Sequence, residues 1–82
     1  MDAYMRNKRK SRKTGGSIDW NAESVRSLRG HIGLTQQQMA ERLGVRQQTI
    51  SEWENEAYKP RGASVMLLKM VAEDAGFTYK AE

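Results

Sequence analysis

Between Leu34 and Asn55 the chain reads LTQQQMAERLGVRQQTISEWEN, and its apolar positions fall into two short groups at helical spacing. In the first group Met39, Ala40 and Leu43 share a face while Gln36, Gln37, Glu41 and Arg42 point the other way, which predicts a helix buried on one side. Thr35 and Gln38 stand three apart and can form a capping box at its start, and Gly44 supplies the left-handed residue that stops it. In the second group Ile50 and Trp53 lie together. A step of about 100° per residue then turns Gln48, Ser51, Glu52 and Asn55 to the opposite side.

The flanks carry the same period. Upstream, Val25, Leu28 and Ile32 predict a helix with Asn21 as its N-cap, Trp20 packing on Val25 as a hydrophobic staple, and an end near Gly30 to Gly33. Downstream, Val65, Leu68, Val71, Ala72 and Ala75 mark the core face of a last helix between Gly62 and Ala75, stopped by Gly76. Met66, Leu67 and Met70 are then left over, and Phe77 and Tyr79 lie just beyond.

Two helices joined by a tight turn, the second offering amides and hydroxyls outward, have the geometry of a reader of DNA base edges. The residues Leu34-Thr35-Gln36, Ala40, Leu43-Gly44-Val45, Thr49-Ile50-Ser51 and Trp53-Glu54 also fall at set offsets. In type and spacing they resemble the helix-turn-helix of the phage lambda repressor and Cro-like family, and the match with its flanks runs from about Trp20 to Gly76. The resemblance implies an all-α fold, a small four-helix bundle containing the helix-turn-helix, with the third helix in the major groove.

The same resemblance assigns roles to individual residues. Gln47 and Gln48 stand where phage repressors read A·T pairs with glutamine, whose amide matches adenine N6 and N7. Ser51 faces the same way; Glu52 is either an acceptor for cytosine N4 or a plain surface acid. Arg46 occupies a position commonly filled by a capping serine or threonine, which forgoes about 1 kcal/mol and points to a contact with phosphate or a guanine edge. Gln36, Asn55, Lys59 and Arg61 are expected at the DNA backbone, with Arg61 able to reach a narrowed minor groove. For Lys59 a solvated charge is nearly as good a reading. Arg29 is expected to pair with Glu54 rather than with a phosphate, and His31 to sit at the surface of a helix end. Glu56 replaces the family's usual glycine after Asn55.

Charge changes this picture at one end. The net charge of the 82 residues is +4, yet six of the 14 basic residues fall in the first 13 positions against one acid, Asp2. The remainder is slightly acidic, with eight basic and nine acidic residues. Residues 1–16 therefore predict a flexible basic arm, whose Arg9, Lys10, Arg12 and Lys13 would track phosphates; a solubilising tail is the plainer alternative. Residues 17–76 would form the DNA-binding domain and 77–82 a short tail.

Other chemistry is excluded by composition. Without cysteine and with one histidine, the chain offers no thiolate or histidine cluster for a metal, no cofactor is implied, and no set of nucleophile and base suggests an enzyme. No apolar run approaches membrane-spanning length, and the basic start is not followed by the apolar segment of a signal peptide, so a cytoplasmic, nucleoid-associated protein is expected. The partner is then double-stranded DNA, bound as a small prokaryotic or phage repressor. Met66, Met70, Phe77 and Tyr79 are expected to form a two-fold contact, or the methionines simply to fill an irregular core. A DNA-binding antitoxin with a cognate toxin is the second reading.

Overall fold

The computed structural model describes residues 18–79, within which four helices and no strand occur. The helices are α1 (Ala22–Ile32), α2 (Gln36–Leu43), α3 (Gln47–Glu54) and α4 (Ala63–Asp74). The basic segment with Arg9, Lys10, Arg12 and Lys13 lies outside the described residues.

Local chemistry sets most of the boundaries. Asn21 caps α1 by accepting from Ser24 N at 3.0 Å, and Ser24 Oγ accepts in return from Asn21 N at 2.8 Å. Thr35 and Gln38 do the same for α2, at 3.1 and 2.9 Å. At the end of α2 the left-handed Gly44 lets Val45 N reach back to Ala40 O at 2.9 Å, the 6→1 bond that closes a helix without bending it onward. The end of α3 closes in the same way, Ala57 N donating to Glu52 O at 2.9 Å, but the left-handed residue is Glu56, at φ 65°. The start of α3 is bare: Arg46 makes no side-chain capping bond.

The helices enclose one core. Val25 and Leu28 from α1, Met39, Ala40 and Leu43 from α2, Ile50 and Trp53 from α3, and Leu68, Val71 and Ala72 from α4 are all buried. Burying each of the larger side chains contributes about 1.5–3 kcal/mol relative to exposure. Trp20 joins them from the lead-in, as the staple expectation requires, and so does Ile18.

Phe77 departs from expectation. It is not available for a two-fold contact, because its side chain is buried in the chain's own core at 7% exposure. The turn after α4 folds it there: Gly76 is left-handed and Phe77 N donates to Ala72 O at 2.9 Å. Its ring centroid lies 5.3 Å from that of His31 and 6.2 Å from that of Tyr79. Residue 77 thus belongs with the folded domain rather than with the tail. Tyr79 is half-buried beside it, and that burial together with the Glu23 carboxylate holds its phenol above its ordinary pKa. Met66 and Met70 remain exposed, at 58% and 59%. Ala75, expected on the core face of the last helix, lies one residue past the end of α4 and is half-buried; its carbonyl is 3.2 Å from His31 Nε2, which places the exposed histidine at the helix end as expected.

Candidate nucleic-acid interface

The burial of Ile50 and Trp53 decides which way α3 faces. With those two side chains in the core, Arg46, Gln47, Gln48 and Asn55 are exposed and Ser51 and Glu52 half-exposed. Two hydrogen bonds run along this surface, each spanning one turn. Gln48 Nε2 donates to Glu52 Oε2 at 3.1 Å, and Asn55 Nδ2 donates to Ser51 Oγ at 3.2 Å.

Behind the face, Glu54 ties three helices together. Its carboxylate is buried and accepts from Arg29 in bidentate fashion, Nε to Oε2 at 2.7 Å and Nη2 to Oε1 at 2.9 Å. Gln36 Nε2 adds a third bond to Oε1 at 3.1 Å. The Glu54 main-chain carbonyl, one of the orphan acceptors at the end of α3, takes Arg26 Nη1 at 2.6 Å, and Arg29 Nη1 reaches Leu34 O at 3.1 Å. Burial by itself would push the Glu54 carboxyl up; hydrogen bonds from Arg29 and Gln36 and the charges of Arg29 and Arg26 outweigh it and hold the group below its ordinary value. The bond to Glu54 raises Arg29 in turn. Both stay charged throughout the neutral range.

The expected pairing of Arg29 with Glu54 is therefore present, and Gln36 joins it from α2. One N–H of its side-chain amide is given to Glu54, and the second N–H of the same nitrogen takes no part in that bond. Arg26 was not foreseen. It lies three residues from Arg29, hence on a neighbouring face of α1, and that spacing was the available signal. Ser24 was also missed, although Asn21 and Ser24 have the three-residue offset of a capping box.

At the exit, Lys59 Nζ lies 3.2 Å from Asp19 Oδ1 in a pair exposed on both sides. Such a pair contributes about 0–1 kcal/mol, so Lys59 can leave it for a stronger anion at little loss. Pro60 is buried and anchors the loop, while Arg61 is exposed beside it. No group of three or more metal-ligating side chains forms among the described residues, and no helix there is long and apolar enough to cross a membrane.

No curated protein matches the chain. The pattern of the helix-turn-helix family matches residues 25–77, a stretch that starts in α1 and ends on the buried Phe77. With the two-helix geometry of α2 and α3 and the polar outer side of α3, that match places the chain in the lambda repressor/Cro-like helix-turn-helix family of DNA-binding transcription regulators.

Proposed function

We propose that the protein is a small repressor that occupies an operator, with α3 in the major groove and Arg46, Gln47, Gln48, Ser51 and Glu52 choosing the sequence. One observation carries this reading: the side of α3 opposite Ile50 and Trp53 is polar and uncovered among the described residues. Affinity would come from the backbone contacts of Gln36, Asn55, Lys59 and Arg61 and from Arg9, Lys10, Arg12 and Lys13 of the arm.

The protein would bind as a dimer, two half-sites lying about 34–36 Å apart. Met66 and Met70 support this, being exposed apolar side chains on α4, with Tyr79 at the margin. The same exposed surface would serve an antitoxin in holding a toxin. Sedimentation with and without DNA tests the dimer, and co-purification with a neighbouring small protein tests the antitoxin.

The central test is selection of bound sequences from random duplexes at fixed salt. Enrichment of one site is expected. The double variant Gln47→Ala, Gln48→Ala should lose preference for that site while nonspecific binding at low salt persists. A chain that enriches no sequence is not an operator-binding repressor.

A further inference from the structure

One contact on the outer side of α3 fixes the orientation of an atom that bears on base choice. Gln48 Nε2 donates to Glu52 Oε2 at 3.1 Å. A carboxylate only accepts, so the amide must turn its nitrogen toward Glu52, and Oε1 is left facing away from it. Glu52 is well placed to impose this. The residue is half-buried, its main-chain carbonyl is held by Ala57 N at 2.9 Å, and its carboxylate meets Gln48 at the exposed surface one turn away. A glutamine lacking such a neighbour is ambivalent. Its amide can flip to offer the oxygen to adenine N6, or the nitrogen to guanine O6 and N7.

We propose that Glu52 is a positioning residue for base choice. By holding the nitrogen of Gln48 it leaves Oε1 as the atom to meet a purine edge, so that an adenine, whose N6 amine donates, is taken over a guanine. A guanine, which shows two acceptors at the same edge, is turned away, and the negative charge of Glu52 near O6 adds to the rejection. This rests on α3 being the base-reading helix, and it assigns Glu52 a part beyond that of a surface acid.

The test is selection from random duplexes, at one salt concentration, with the unaltered full-length chain and with Gln48→Ala, Glu52→Gln and Glu52→Ala. Gln48→Ala identifies the base pair that Gln48 reads, by erasing the preference at one position of the site. The expected result is an A·T pair at that position for the unaltered chain. Both Glu52 variants should then admit G·C there, the adenine-over-guanine ratio falling on the order of tenfold, with preferences elsewhere and low-salt binding kept. A structural role alone would lower affinity at every position and leave the ratio untouched. The proposal is overturned by an unchanged ratio in both Glu52 variants, by guanine at the Gln48 position of the unaltered chain, or by a Gln48→Ala variant that erases nothing. If the unaltered chain enriches no site, the reading of α3 itself fails, and that outcome is distinct from the other three.

Discussion

Glu54 is where removing one group would be felt most. It is buried, bonded through its side chain to Arg29 and Gln36, and bonded through its carbonyl to Arg26. Glu54→Gln leaves Arg29 facing a neutral partner. Losing half of such a pair costs about 3–5 kcal/mol when both members are buried; the Arg29 side chain is 25% exposed, which argues for the lower end of that range. The sign of the pH dependence follows from the carboxyl being held below its ordinary value of 4.5. Its contribution is complete above that value and is lost as pH falls through the lower, folded-state value. Urea midpoints at pH 7, 5 and 3 should therefore drop on the acid side for the unaltered chain, and Glu54→Gln should lack that component.

Glu56 makes the opposite prediction at the same scale. A side chain at φ 65° costs about 1–2 kcal/mol against a right-handed conformation, and a Cβ is what makes it so. Glu56→Gly relieves this strain but adds backbone freedom to the unfolded chain, so a net gain of about 1 kcal/mol is expected in chemical denaturation. The family's usual glycine at this position flagged the site in the sequence. The left-handed turn that Glu56 adopts shows why glycine suits it.

At the scale of the helix, the caps and stops were legible because they are local. Asparagine, threonine and glycine at fixed offsets specify Asn21, Thr35, Gly44 and Gly76 whatever the rest of the chain does. The missing cap of α3 was legible for the same reason, and it yields a prediction with two readouts. Arg46→Ser restores an oxygen that can accept from the first turn, and should stabilise the fold by about 1 kcal/mol in thermal or denaturant melts. The same change should weaken DNA binding. Unchanged affinity would leave the bare helix start without a role in recognition. Phe77 was misread for a different reason: its burial depends on the turn at Gly76 bringing the chain back beside His31, and nothing in the spacing of apolar residues reports that return. Ile18 joins the core by a similar tertiary route, and Arg26 reaches Glu54 across 28 positions of sequence.

For the molecule as a whole, charge segregation was plain from the sequence and gives the last prediction. Deleting residues 1–14 removes six basic side chains from a chain whose remainder is slightly acidic. Affinity for a duplex should fall, and the slope of log K against log salt should flatten by about 0.9 for each phosphate that the arm no longer neutralises. Titrations at several salt concentrations measure it; an unaltered slope would mean that the arm meets no phosphate.

Because Glu54 clasps α1, α2 and α3 from behind, the outer side chains at positions 47, 48 and 51 hold up no part of the scaffold. They form an exchangeable surface. Transplanting a different set onto those three positions should redirect the protein to a new operator while the melting temperature stays close to its starting value, so specificity can drift without the fold having to follow.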